Sequence, residues 1–119
     1  MNTHATNNVI CRDTLLVALR DHIGRANGVT VTVLAREVVG AEPTRGDERI
    51  VRRMVVELRR EGHHVCAHPA SGYYLAASPE EIADTIAFLR DRAMSSLEQI
   101  AAMKRVSVPD LWGQLHLPT

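Results

Sequence analysis

A basic helical segment that runs directly into two strand-like segments constrains the fold of this chain more than any other feature. Residues 45–62 read RGDERIVRRMVVELRREG, with apolar residues at helical spacing on one face and arginines on the other. The strings HHVCAH and GYYLAA follow at once, joined by PAS, and their side chains alternate with the period of two typical of half-buried strands. The sequence therefore predicts a helix and then an antiparallel β-hairpin between residues 45 and 77.

Two shorter helices are predicted before that segment. The first runs from Asp13, as its N-cap, to about Gly24, and its apolar stripe comprises Leu15, Leu16, Leu19 and Ile23. The second begins at Thr30 or Thr32 and stops at Gly40, with an apolar face of Val31, Leu34, Ala35 and Val38. The β-branched run at 29–33 also fits a strand, so its first residues can instead pair with the hairpin.

The basic helix is predicted to bury one face and to end at a glycine. Asp47 can cap its N-terminus, and Glu48 faces the positive end of the helix dipole. Gly62 is placed for a left-handed turn at the end. In the hairpin, Tyr73 is expected to pack on the helices and Tyr74 to face the surface. The apolar face of the helix comprises Ile50, Val51, Met54, Val55 and Leu58.

A long C-terminal helix is predicted from the string SPEEIADTIAFLRDRAMSSLEQIAAMKRVS. Ser78 and Glu81 resemble a capping box around Pro79 at the first helical position. Apolar and small residues then recur at spacings of four and three, which predicts a homodimer through this helix; the alternative is a helix that folds back on its own domain. This seam comprises Ile82, Ile86, Leu89, Ala93, Ser96, Ile100 and Met103. Trp112, in the tail beyond it, can pack within the dimer or dock on a protein partner.

Composition fits one small domain. The 119 residues are 45% hydrophobic but only 3% aromatic, so the core must consist of aliphatic side chains, which favours helices. No apolar run is long enough to cross a bilayer and the N-terminus lacks a signal-peptide pattern, so we expect a cytoplasmic protein with reduced Cys11 and Cys66. The expected fold class is mainly α with a small β-hairpin, that is, α+β.

The charges are unevenly distributed although the net charge is zero. Between residues 45 and 60, six arginines face three acids, a local excess of three positive charges. The last third of the chain leans acidic. This polarity favours an anionic partner for the basic helix, and the alternative is a solvated helix surface with intrahelical ion pairs.

The order of helix, helix, basic helix and hairpin resembles a winged helix-turn-helix. The string LRREGHHVCAHPASGYYLAAS is similar to the end of the recognition helix and the wing in the DNA-binding domain of biotin repressors. It is more similar still to short phage and prophage proteins, in which a Gly-Tyr-Tyr hairpin leads into a helix such as SPEEIADTIAFLRDR. The resemblance covers residues 13–105. We expect the chain to comprise a disordered tail (1–11), a winged helix-turn-helix domain (12–77), the long helix (78–106) and a C-terminal tail (107–119).

The resemblance implies binding to double-stranded DNA through the basic helix and the wing tip. Arginines in the groove can read guanine through paired hydrogen bonds, while those at the helix ends contact phosphates. The expected DNA-binding residues are Arg45, Arg49, Arg52, Arg53 and Arg60, with His68 and Ser71 of the wing. The expected role is a phage or prophage transcriptional regulator or replication accessory. The alternative is a winged-helix adaptor that binds protein instead of DNA.

Metal and catalytic alternatives are weaker. His63, His64, Cys66 and His68 raise the possibility of a metal site, with Cys11 as a further ligand. Same-face side chains on one strand lie about 7 Å apart, which is too wide for three of them to hold one ion. The sequence also has no phosphate-binding loop, metalloprotease motif or nucleophile context. We therefore expect no metal, no cofactor and no enzymatic activity.

Overall fold

The computed structural model describes residues 9–104, which are mostly helical. The fold class is α+β, as predicted: helices and one antiparallel hairpin, followed by a long C-terminal helix. Within these residues the elements are α1 (Arg12–Leu19), α2 (Val31–Val39), α3 (Arg45–Arg60), β1 (Val65–His68), β2 (Gly72–Leu75) and α4 (Pro79–Lys104). A short 3₁₀ turn, Arg25–Asn27, precedes α2. No helix among the described residues is both long and apolar enough to cross a membrane.

The core lies between the first three helices, each of which contacts the other two. The predicted apolar faces supply it, because residues at i, i+3, i+4 and i+7 lie on one side of a helix. Ile10, which lies within the predicted N-terminal tail, is also buried there. The buried core side chains are Ile10, Leu15, Leu19, Leu34, Ala35, Val38, Val51, Val55, Leu58 and Val65.

Local capping signals place both ends of α2 where the sequence indicates, whereas α3 has a different N-cap from the predicted one. The Thr30 hydroxyl accepts a hydrogen bond from the Val33 N–H (3.2 Å) at the start of α2, and Gly40 ends that helix with a positive φ of 81°. Thr44, rather than Asp47, is the N-cap of α3. Asp47 still caps, because its carboxylate accepts from the Thr44 N–H at 2.9 Å while its own N–H donates to the Thr44 hydroxyl.

Helix α1 is shorter than predicted. It begins at Arg12, ends at Leu19, and leaves Ile23 half exposed rather than on the buried stripe. The reason is that the backbone after α1 pairs with β2: the Leu75 N–H donates to the His22 carbonyl and the Gly24 N–H donates to the Leu75 carbonyl, both at 2.8 Å. These bonds replace the intrahelical bonds that a longer helix would form.

The hairpin pairs in one register and is joined by a short third segment. Cys66 lies opposite Tyr74 across the antiparallel pair. The prediction that the start of the 29–33 run pairs with the hairpin is confirmed, since Val29 and Tyr73 exchange both backbone hydrogen bonds, at 2.7 and 3.0 Å. Residues 31–33 instead belong to α2. The hairpin is therefore anchored on the backbone that precedes α2.

Tyr74 is buried, so the prediction that it faces the surface is wrong. Its side chain is fully covered, as is that of Cys66 beside it, whereas Tyr73 is partly buried against the core as predicted. The first turns of α4 lie on this second face of the hairpin. The Cys66 thiol donates to the Glu81 carbonyl (3.5 Å), and the Ala67 N–H donates to the Thr85 hydroxyl (3.4 Å). Both faces of the hairpin are thus buried.

The start of α4 is capped in a way that differs from a simple capping box. Helix α4 begins at Pro79, as predicted, and the Ser78 hydroxyl accepts from the Glu81 N–H at 3.3 Å. The Glu81 carboxylate, however, accepts from the N–H groups of Ala77 (2.8 Å) and Arg25 (3.0 Å). One carboxylate therefore ties the start of α4 to the 3₁₀ turn before α2.

The chain divides into two compact units, the first ending at Thr85 and the second beginning at Ile86, so the boundary falls within α4. The first unit contains α1 to α3, the hairpin and the first two turns of α4. The described part of the second unit is the remainder of α4, in which Leu97 and Ala101 are buried. Trp112 and most of the predicted N-terminal tail lie outside the described residues.

Candidate nucleic-acid interface

The outward face of α3 carries a stripe of exposed arginines. Helix α3 buries Val51, Val55 and Leu58 in the core, which turns the opposite face to solvent. At about 100° per residue, the exposed positions 45, 49, 52, 53, 56 and 60 fall within roughly 100° of the helix surface. Five of these six positions carry the predicted binding residues Arg45, Arg49, Arg52, Arg53 and Arg60. The structure therefore brings all five predicted arginines onto one helix face.

Most of these guanidinium groups have no partner within the described part of the protein. Arg45, Arg49, Arg52 and Arg53 form no hydrogen bond or ion pair with any of residues 9–104. Arg60 makes one long contact, 3.5 Å, to the Glu57 carboxylate and stays 72% exposed. An exposed guanidinium presents five N–H donors in a planar fork that matches a phosphate or the edge of guanine.

The acids at the start of α3 are engaged in structural bonds. Asp47 caps Thr44, and the Glu48 carboxylate accepts a hydrogen bond from the Thr32 hydroxyl (2.8 Å), which links α3 to the start of α2. Arg59 also has a structural role, because its Nε donates to the Val65 carbonyl at 2.8 Å. Two of the three acids that offset the local positive charge, Asp47 and Glu48, are therefore engaged in structural bonds, whereas the third, Glu57, contacts Arg60.

Sequence reasoning missed one member of the exposed stripe. Val56 is 41% exposed and lies at its angular centre, within about 20° of Arg45 and Arg49 around the helix axis. The signal was available, because Val56 falls off the stripe formed by Val51, Val55 and Leu58. The exposure of Val56 is easily overlooked in the sequence, because the adjacent Val55 is the same residue type and is buried.

The turn of the hairpin holds the other two predicted residues, His68 and Ser71. Both are partly buried, and the Ser71 N–H donates to the His68 carbonyl at 3.1 Å. The His68 Nδ1 accepts from the Ala70 N–H (3.0 Å), which leaves Nε2 as the donor of the neutral ring. Contact of this turn with DNA stays a prediction.

Acidic side chains gather on a different part of the first unit. A groove of about 540 Å³ between α1 and α2 is lined by Asp13, Asp21 and Glu37 together with apolar residues that include Val17 and Val38. Glu37 also lies 2.8 Å from the Nε2 of His22. These three acids lie in the first third of the chain rather than in the C-terminal third, which the sequence marks as acidic.

The histidines and cysteines are dispersed. His63 and His64 are exposed, whereas Cys66 is buried beneath α4 and Cys11 lies at the start of α1. A hydrogen bond with the Thr14 side chain lowers the pKa of the Cys11 thiol. Among residues 9–104, no three His, Cys, Asp or Glu side chains are grouped closely enough to hold a metal ion.

The predicted dimer seam is largely exposed on this single chain. Ile86 is 47% exposed and Met103 is 86% exposed, while Ile82 is partly buried. The remaining seam residues, Leu89, Ala93, Ser96 and Ile100, are also exposed. The side chains expected to form an interface are therefore available for one.

Comparison with known proteins found no match, whether with protein-family models, with curated proteins or with solved structures.

Proposed function

We propose that this chain is a cytoplasmic DNA-binding protein of the winged helix-turn-helix class, with α3 as the recognition helix and the β1–β2 hairpin as the wing. The order of elements supports this proposal, since three mutually packed helices are followed directly by a hairpin. The pairing of Val29 with Tyr73 adds a short third strand segment beneath the wing.

The observation that carries the proposal is the set of unpartnered arginines on α3. Arg45, Arg49, Arg52 and Arg53 share one exposed face and are not neutralised by any of residues 9–104. Such a face gains free energy on a polyphosphate, because each arginine that pairs with a phosphate releases condensed counterions. The stripe from Arg45 to Arg60 extends about 22 Å, at 1.5 Å per residue, which is enough to follow a major groove.

A salt series on duplex DNA tests the proposal. Fluorescence anisotropy with a labelled random-sequence duplex should show binding at low salt that weakens steeply as salt increases, because phosphate neutralisation dominates non-specific affinity. Failure to bind at low salt would overturn the proposal.

A double variant, Arg52→Ala with Arg53→Ala, tests whether the α3 face is the surface that binds DNA. We expect weaker DNA binding and a shallower salt dependence, because the variant removes two positive charges from the face that lies against the DNA. The protein should stay folded, because both side chains are exposed and off the apolar face. The matched control is the double variant Arg12→Ala with Arg36→Ala. These two exposed arginines lie on other surfaces and pair with Glu61 and Glu42. Equal losses in the two variants would mean that net charge, rather than the α3 face, governs binding.

The proposed role is that of a phage or prophage transcriptional regulator or replication accessory. In this proposal two copies associate through the exposed apolar side chains of α4, so that two recognition helices engage two half-sites. A single winged helix-turn-helix unit would bind DNA weakly. In the dimer, binding of the first unit holds the second at a high effective concentration near the DNA, which increases the affinity.

A protein-binding adaptor is the second candidate, and the exposed apolar side chains of α4 favour it. Ile86, Leu89, Ile100 and Met103 form an apolar surface that a partner protein could cover as well as a second copy could. Selection of duplexes from a random pool, run beside a pull-down with the full chain as bait, separates the two candidates. A specific protein partner without any enriched DNA would favour the adaptor.

A further inference from the structure

The feature that the proposed function leaves unexplained is the valine at the centre of the arginine stripe. Val56 is 41% exposed and lies at the angular centre of a face whose five other exposed positions are arginines. Its predecessor on the helix, Val55, already fills the core position. The side chain of Val56 is therefore not required by packing.

An exposed valine is also a poor choice for the helix itself. A β-branched residue has lower helix propensity than alanine or the straight-chain polar residues, because its χ1 is restricted against the preceding turn. Arginine, lysine or glutamate at this position would support the helix better and would be better solvated. An apolar group surrounded by cations is suited to a partner surface that is anionic at its edges and apolar at its centre.

The floor of the DNA major groove is such a surface. Phosphates line its two edges, and each thymine presents a 5-methyl group at the base edge, where it offers an apolar contact. We propose that Val56 is a specificity-determining residue that contacts a thymine methyl group in the major groove. This inference rests on the proposed DNA binding through α3 and adds the base that the centre of the helix recognises.

The spacing along α3 also constrains the neighbouring bases. Arg52 and Arg60 lie one helical turn on either side of Val56, about 6 Å along the axis at 1.5 Å per residue. That distance corresponds to about two base-pair steps of 3.4 Å. A guanine contacted by Arg52 should therefore lie within about two base pairs of the thymine.

Single-atom changes in the DNA test the contact directly. Duplexes selected by the unmodified chain from a random pool are resynthesised with deoxyuridine in place of each thymine in turn, which removes only the methyl group. At one thymine in each site we expect about a fourfold loss of affinity, the effect of one buried methyl group. Val56→Ala should bind the thymine and uracil duplexes equally and should remain folded, since alanine favours helix.

Val17→Ala is the matched control, because Val17 is 61% exposed on α1 and lies outside the α3 face. It should keep the preference for thymine over uracil. Arg52→Ala should weaken binding to both duplexes while retaining the thymine preference.

The outcomes separate this inference from the proposed function. An unmodified chain that binds duplex DNA but never distinguishes thymine from uracil would overturn the role of Val56 and leave DNA binding intact. A Val56→Ala variant that keeps the preference would do the same. An unmodified chain that binds no duplex at low salt would overturn both proposals.

Discussion

Two glycines let the hairpin lie directly against the backbone that leads into α2. A Cβ added to Gly72 would overlap the carbonyl oxygen of Val29, and one added to Gly28 would overlap the carbonyl oxygen of Ser71. Gly72 also has a φ of 80°, which other residues adopt only with strain. The position of the proposed wing relative to α2 therefore depends on the absence of two side chains.

Gly72→Ala should destabilise the protein more than Gly62→Ala. Both glycines have positive φ, at 80° and 98°, but a Cβ at Gly62 would meet nothing within 4 Å. Gly62→Ala should therefore cost only the backbone strain, about 1–2 kcal/mol. Gly72→Ala adds the displacement of the Val29 backbone and should cost about 3 kcal/mol or more. Urea unfolding of the two variants measures the difference, and equal losses would show that the hairpin does not need this close approach.

The two tyrosines show what alternation along a strand can and cannot reveal. The period of two correctly predicts that Tyr73 and Tyr74 point to opposite faces of the hairpin. It does not indicate whether a later element covers the outer face, and here the start of α4 does so. The Tyr74 hydroxyl accepts a hydrogen bond from the Nε of Arg25 at 3.3 Å, a pairing between residues 49 positions apart that local patterns do not encode.

At the scale of elements, helix boundaries were predictable where side chains determine them. Thr30, Gly40 and Pro79 act through local capping and backbone geometry, so the starts of α2 and α4 and the end of α2 follow from the sequence. The N-cap of α3 was predicted wrongly, because Thr44 rather than Asp47 occupies it. The end of α1 was not predictable, because its last expected turn is replaced by backbone pairing with β2, more than 50 residues later. The arginine stripe followed from the period of α3, and the same period places Val56 outside the apolar face, although it stands next to the buried Val55.

The start of α4 should make stability depend on pH through Glu81. Hydrogen bonds from the N–H groups of Ala77 and Arg25 hold the pKa of the Glu81 carboxyl below its ordinary value. A lowered folded-state pKa stabilises the fold above the unfolded-state pKa of about 4.3, and this contribution is lost as pH falls through the folded-state pKa. The free-energy difference between the unmodified chain and Glu81→Gln should therefore be constant near neutrality and shrink in acid.

Glu80→Gln is the control for this pH dependence. Glu80 is exposed in the same helical turn and forms no hydrogen bond with residues 9–104. The Glu80→Gln substitution should alter the pH dependence of the unfolding free energy less than Glu81→Gln does. If the difference in unfolding free energy between the unmodified chain and Glu81→Gln stayed constant across the acid range, the proposed coupling would be contradicted.

At the scale of the whole molecule, the proposed pairing of α4 between two chains would bring two winged helix-turn-helix units, or heads, onto one DNA site. Its exposed residues at spacings of four and three form one apolar stripe, and Ala93 and Ser96 are small enough for two such helices to approach closely. Two heads held together would read half-sites separated by the helical repeat of DNA, about 10 to 10.5 base pairs or a multiple of it. The selected duplexes should then contain paired half-sites at that spacing.

Leu89→Asp should yield folded monomers with DNA affinity reduced at least about tenfold, because a carboxylate in the seam loses apolar burial and lacks a partner there. Ala87→Asp is the matched control: it adds the same charge at an exposed position about 160° from Leu89 around the helix, and it should leave the dimer intact. Light scattering at micromolar concentration, read beside the DNA titrations, measures both effects. A monomer mass for the unmodified chain would contradict the dimer, and the prediction of paired half-sites would fail with it.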